Sequence, residues 1–252
     1  MGRFDLPSRF ARVDDARDPG EYVAYLDSVS ALGGARAYKK EGFRLLEVAP
    51  GDRLLDVGSG AGEDALELAR RAGPEGRVTG LDGSAAMVEE ARRRALDAGV
   101  AGGGDGEDAG SAGSGWAPVA FLVGDARALP FGAGAFDGGR VDRVLQHLDD
   151  PARAVKELVR VVRPGGRVVA CEPDWETLAV TAADRELTRR ILNNAADRIP
   201  GGWIGRELVP LLRGVGVEEI RVEARALAVA DYRRADAVLR LRTFAAHARK
   251  LG

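Results

Sequence analysis

From residue 53 to residue 172 the chain alternates short apolar runs with segments of helical periodicity, and that rhythm limits the folds open to it. "RLLDV" (53–57), "RVTGL" (77–81), "VAFLV" (119–123), "AFDGGRV" (135–141) and "GRVVACE" (166–172) read as strands. Helical patterns lie between them at 62–72, 84–98 and 151–162, and "RPGG" (163–166) reads as a helix stop feeding the fifth strand. Strand, helix, strand at such spacing implies right-handed βαβ units, hence a doubly wound, mostly parallel α/β sheet covered on both faces. Two further helical patterns, between residues 20 and 49, precede the first strand. With 252 residues and 45% hydrophobic content, the chain has material for one such domain plus accessory segments.

Three regions depart from the rhythm. Residues 100–118, "VAGGGDGEDAGSAGSGWAP", lack periodicity and read as a flexible surface loop. The stretch after the fifth strand, 173–216, is too long for a simple crossover, and its part 173–210 is expected to cover the site as a helical insertion. "VEEIRVEARALAV" (217–229) reads as a sixth strand and 231–252 as a C-terminal helix. The expected organisation is thus an N-terminal helical lid over 1–48, a main domain over 49–230 and the C-terminal helix.

Charge excludes some partners. The chain has 37 basic and 39 acidic side chains, a formal net charge of −2, so no global field invites nucleic acid or an anionic membrane. The one cysteine, Cys171, lies in an apolar run and reads as a buried thiol, which suits a reducing compartment. No segment reaches ~18 uninterrupted apolar residues, so a cytoplasmic protein that is a monomer or homodimer is expected. Arginine-rich, alanine- and glycine-rich usage suggests a bacterial coding bias.

The chemistry concentrates in "LLDVGSGAGEDALELA" (54–69), a strand running into three alternate glycines and then a helix. Beyond the carboxyl end of the first strand of a parallel sheet, a glycine turn lets the backbone approach a ligand. A dinucleotide-binding turn wants GxGxxG, but the place of its last glycine holds Glu63, and no lysine follows as a Walker motif requires. Asp56, Glu63 and Asp64 surround the turn and oppose a pyrophosphate, so a ligand with an ammonium and a second positive centre is favoured. Asp82, in "GLDGS", stands where a carboxylate accepts bonds from two ribose hydroxyls. Met87, one turn into the next helix, can lie against a purine face, and Asp125 beside the Ala126 N–H offers the acceptor and donor of an adenine edge.

These stretches, with "VGDARALPF" and "FDGGRVDRVLQHLDDPARAVKELVRVVRPGGRVV", resemble the class I S-adenosylmethionine-dependent methyltransferases, in particular those acting on quinone-like or natural-product molecules. The resemblance covers residues 35–230 and implies a Rossmann-like sheet of six or seven strands with S-adenosyl-L-methionine as cofactor. By resemblance, Asp56 and the backbone of Gly58, Ser59 and Gly60 face the methionine part, Asp82 and Gly83 the ribose, Asp125 and Ala126 the adenine, and the backbone near Val141 the methionine amino group. It implies methyl transfer to oxygen or carbon of a small apolar or aromatic acceptor of secondary metabolism, a polyketide or quinone. The alternative is a donor-binding protein with a cyclase or regulatory role.

His147, just after the fourth strand, is the candidate general base, with Asp142 and Asp174 as carboxylate substitutes. Trp175, Trp203 and Ile204 are candidate walls for an aromatic acceptor, and Tyr38 and Lys39 belong to a helix that in such proteins folds over the cofactor. No metal site is expected. Relatives close the sheet with a seventh strand for which no text remains after 231–252, so a shortened natural chain is expected.

Overall fold

The structure is a computed structural model, described over residues 10–102, 115–239 and 241–248. Five parallel strands, β1 (Arg53–Val57), β2 (Arg77–Asp82), β3 (Val119–Val123), β4 (Phe136–Asp142) and β5 (Val162–Cys171), lie in the order β3-β2-β1-β4-β5. The order reverses between β1 and β4, which opens a crevice beyond their carboxyl ends. Pairing is regular, Leu55 opposite Thr79 on one side and opposite Gly139 on the other. Between Phe136 and Gly138 the β4–β5 register shifts, so that "RPGG" forms a bulge within β5 rather than a stop before it.

Alternation along β1 divides the core in two. Leu54 packs with Phe43, Leu46, Leu68, Val78 and Val88 beneath helices α2 (Gly33–Leu46), α3 (Glu63–Ala72) and α4 (Ala85–Asp97). Leu55 faces the other way, toward Leu81, Phe136, Leu158 and Ile204 of the layer with α5 (Pro151–Val161) and α7 (Ile204–Gly214). Helix α5 forms where Asp150 caps it, accepting from Arg153 N at 3.0 Å, and Pro151 supplies the first helical position. It turns Ala154, Val155, Leu158 and Val161 inward at helical spacing. Helix α4 starts at Ser84, whose Oγ accepts from Met87 N at 3.2 Å.

A third cluster sits above the strand ends. There Tyr22, Tyr25 and Val29 of α1 (Gly20–Ser30) meet Val13, Ala61 and Met87. Asp14 fastens this layer to the start of α4, accepting from Ser84 Oγ at 2.5 Å and Ala85 N at 2.8 Å.

Two expectations are corrected. The sheet has five strands among the described residues rather than six or seven, because 217–229 is irregular and largely exposed without strand pairing. On its apolar face three of the five side chains are alanines, Ala224, Ala226 and Ala228, which bury too little surface to hold a strand against β5; Leu227 instead leans over Gly34 of α2. The C-terminal helix is divided into α8 (Tyr232–Leu239) and α9 (Leu241–Ala248). The insertion after β5 does carry helices, α6 (Arg185–Ala196) and α7. Most of the loop expected over 100–118 lies outside the described residues.

Candidate active site

A cleft of about 2330 Å³ occupies the crevice. Gly58, Ser59, Gly60, Asp82, Gly83, Met87, Asp125 and Ala126 all line it, as does His147. Asp56 and Val141 do not: both are buried behind the wall.

The glycine turn is held by β2, since Gly58 N and Ser59 N both donate to Leu81 O, at 2.6 and 3.0 Å. Gly58 has φ 72°, and a Cβ there would come within 2.1 Å of Val144 Cγ2, so only glycine fits. Asp82 completes the cradle. One of its oxygens accepts from Gly60 N at 2.8 Å and the other from Ser84 N at 2.9 Å, which aims the carboxylate while leaving lone pairs on both. Burial raises its pKa, opposed by those backbone bonds. Asp125 is half-exposed and engaged by Arg127, whose Nε and Nη2 both lie 2.9 Å from its oxygens.

The acidic turn is not free to meet a cation. Arg140, an arginine in the middle of β4 and only 1% exposed, stands opposite Asp56 in the β1–β4 register. Its Nη2 bonds Asp142 at 2.7 Å, its Nη1 lies 2.8 Å from Asp64 Oδ2 as a charge contact, and its guanidinium packs 4.8 Å from the Phe43 ring centroid. Lys39 Nζ donates to both Asp64 oxygens at 2.9 Å. Burial raises Asp64, but Arg140 and Lys39 outweigh it and hold the carboxyl below its usual range. Asp56 is the reverse: burial pushes it up to about 7 although Arg140 pulls it down. Contrary to the expectation of an unopposed acidic turn, Arg140 and Lys39 neutralise much of the charge of Asp56, Glu63 and Asp64.

The fit to a donor with an ammonium and a ribose is carried by polar atoms. Ser59 Oγ, in the cleft wall, is buried without a hydrogen-bond partner, and Asp82 offers its spare lone pairs. Buried acceptors left in this way are costly unless a ligand completes them.

His147 lies 5.5 Å from the Phe10 ring. Burial, and then the Arg143 charge, lower it to about 4, so at neutral pH it is uncharged and a weak proton acceptor. Both carboxylate substitutes are occupied, Asp142 by Arg140 and Asp174 by Arg206 at 2.7 Å. Of the tryptophans, Trp175 lines the cleft and donates to Gln146 Oε1 at 2.7 Å. Trp203 instead stands half-exposed under Arg206, and Ile204 is core. Tyr38 and Lys39 do line it, Tyr38 donating to Asp142 at 3.4 Å. Burial pushes the Cys171 thiol up to about 12.

Sequence reasoning missed Arg140, Arg143, Glu172 and Asp14. The signal for Arg140 was a charge at an inward position of a central strand, facing another, Asp56, in β1.

Residues 55–170 match the sequence profile of a methyltransferase domain family. Over 148 residues the chain is 32% identical to a demethylmenaquinone methyltransferase of Desulfitobacterium hafniense, covering 58% of this chain and 52% of the relative. The matched segment is a methyltransferase domain of the class I S-adenosylmethionine-dependent kind. Another relative is an uncharacterized 37.1 kDa protein in a transposon of Streptomyces fradiae, 38% identical over 91% of this chain and 61% of its own length. The chain thus spans half to three-fifths of the length of these relatives. A SAM-dependent methyltransferase from Aquifex aeolicus shares the fold, with TM-score 0.54, 19% identity and coverage of 87% and 92% of the two chains. An arsenic(III) S-adenosylmethionine methyltransferase from Chlamydomonas reinhardtii aligns with TM-score 0.52 at 25% identity, over 75% of this chain and 60% of that one.

Proposed function

We propose that this chain transfers a methyl group from S-adenosyl-L-methionine to an oxygen or carbon of a small apolar or aromatic acceptor, a quinol or polyketide. The observation that carries the reading is the convergence of Gly58–Gly60, Asp82, Met87 and Asp125–Ala126 on one cleft at the point where strand order reverses. The quinol-type acceptor is supported by the demethylmenaquinone methyltransferase relatives.

In this reading Asp82 receives the ribose hydroxyls, the Asp125–Ala126 pair the adenine edge, and the Gly58–Gly60 backbone lies along the methionine part. Asp56, buried behind the wall, adds its charge to the field at the methionine end without touching the donor, and Arg140 Nε lies 3.9 Å from its Oδ1. When bound, the donor supplies a methyl group already activated by its sulfonium. The residues therefore align and exclude water rather than supply strong acid or base. The aromatic layer of Phe10, Tyr22 and Tyr25 over the strand ends serves that exclusion. His147, kept uncharged, is part of the acceptor wall. The protein acts alone on a small molecule, as a monomer or homodimer in the cytoplasm.

The test is incubation with S-adenosylmethionine and a panel of reduced naphthoquinones and phenols, followed by mass spectrometry. S-adenosylhomocysteine forming together with a methylated acceptor is the expected outcome. S-adenosylmethionine that binds saturably while no member of the panel yields S-adenosylhomocysteine or a methylated product would overturn it.

A further inference from the structure

Arg143 is a cation to which the donor reading above gives no role. It follows β4 directly, and its φ of 58° places a residue with a full side chain in the left-handed region. Such a residue stays there only where its surroundings over-determine it. Here they do. Arg143 N donates to Cys171 O at 2.8 Å, and the next two amides, Val144 N and Leu145 N, both donate to Glu172 Oε1, at 2.8 and 2.6 Å. Val144 is in turn locked over Gly58. The consequence is a fixed backbone from which the Arg143 side chain enters the cleft wall.

Protein surrounds that guanidinium on nearly every side, yet 25% of the side chain stays accessible, because it lines the cleft. Among the described residues its ion-pair partner is Asp142, 3.8 Å from Nε, and Arg140 already holds that carboxylate at 2.7 Å. Arg143 Nε itself has no hydrogen-bond partner. The surrounding groups keep the guanidinium charged, and its unpartnered Nε and accessible face leave donors for a ligand in the cleft.

The groups facing Arg143 are Tyr25 of α1, Tyr38 and, further off, Asp64 beside the glycine turn, Asp142 of β4 and the neutral His147. Phe10 joins His147 and Tyr25 into one aromatic wall, with ring centroids 5.5 and 5.8 Å apart. A guanidinium beside such a wall suits a flat ring that carries an anionic oxygen. The glycine turn has cations of its own, Lys39 and Arg140.

We propose, on the methyl-transfer reading above, that Arg143 binds the acceptor's oxyanion, and that the acceptor is a phenol or enol reacting as its conjugate base. The hydroxyl proton goes to water as the oxyanion forms beside Arg143. A lone pair of that oxygen then makes the bond to the methyl carbon while the sulfur–carbon pair returns to sulfur, leaving an ether and a neutral thioether. In attack through the conjugated carbon, that carbon's own proton is afterwards lost to water and the ring restored. Glu172 is a positioning residue, setting the backbone that aims Arg143.

The experiment uses 4-nitrophenol, whose visible phenolate band reports ionisation, titrated in pH with the full chain saturated in S-adenosylhomocysteine. An opposite charge at this range lowers the apparent pKa of the bound probe by about one to three units. Wild type and Arg143→Lys should show the shift. Arg143→Met should lose it, with S-adenosylhomocysteine affinity by calorimetry kept within about twofold, less than the tenfold that one lost 1.4 kcal/mol contact would cost. An unshifted probe on wild type holding S-adenosylhomocysteine overturns this proposal alone. So does a loss in Arg143→Met of more than about tenfold in S-adenosylhomocysteine affinity, which would assign Arg143 to the donor's carboxylate. Wild type that binds no S-adenosylhomocysteine overturns the methyl-transfer reading, and this proposal with it.

Discussion

Arg140 and Asp56 stand directly opposite each other in adjacent central strands, with Arg140 Nε 3.9 Å from Asp56 Oδ1 and neither side chain more than 3% exposed. Asp64 and Asp142 close the cluster around the same guanidinium. Removing one member of a buried charge group leaves the others uncompensated, which typically costs about 3–5 kcal/mol. Arg140→Met is therefore expected to lower unfolding stability by about that amount in urea titration. A cost below about 1 kcal/mol would show that the cluster is not what holds β1 to β4.

Gly58 is set by sterics rather than by ligand contact alone. Gly58→Ala places a methyl 2.1 Å from Val144 Cγ2 at a φ of 72°. The turn must shift, and S-adenosylhomocysteine affinity is expected to fall by more than about tenfold, one kcal-scale contact at the least. Adding Val144→Ala removes the clash but not the φ strain, so recovery should be partial. Full recovery in the calorimeter would contradict the backbone half of this explanation.

Asp82 binds two backbone amides, one with each oxygen. Asp82→Asn replaces one acceptor by an NH₂ facing an N–H, so one amide is left unpaired. That penalty is about 1–3 kcal/mol, and it should appear in thermal unfolding even without ligand, besides the loss in donor affinity. An unchanged unfolding midpoint would mean that Asp82 does not hold the turn.

The titration of His147 sets a direction with pH. Its folded value of about 4 lies below the reference 6.5, so between these the unfolded chain binds more protons and stability falls as the pH falls from 6.5 to 4. Glu172 acts oppositely: with a value raised by burial from 4.5 to about 8, its contribution is present below pH 4.5 and lost as the pH rises through about 8. Subtracting the profile of His147→Asn from wild type isolates the first effect, at most about 3 kcal/mol across that window. A flat difference would mean that His147 is solvated.

The parallel α/β architecture was legible because strands and helices alternate at βαβ spacing, and the strand starts at Arg53 and Arg77 coincide with their sequence patterns. What failed was 217–229, where alternation looked like a strand but alanines supplied too little buried area. At the site, positions dictated by the backbone were readable: a glycine turn and a carboxylate at the end of β2 announce themselves by spacing. Charge was not. Lys39, from a helix preceding the sheet, and Arg140, from a strand 84 places after Asp56, reach the turn only once the chain is folded. The same applies to Arg143 and Glu172, whose roles depend on neighbours in a different strand end.

The most direct measurement is calorimetric titration of the full chain with S-adenosylhomocysteine and, separately, with NAD. A donor site built on Gly58–Gly60 and Asp82 requires saturable one-site binding of S-adenosylhomocysteine that Asp82→Ala weakens, and no heat from NAD. Binding of NAD in preference to S-adenosylhomocysteine, or of neither, would contradict it.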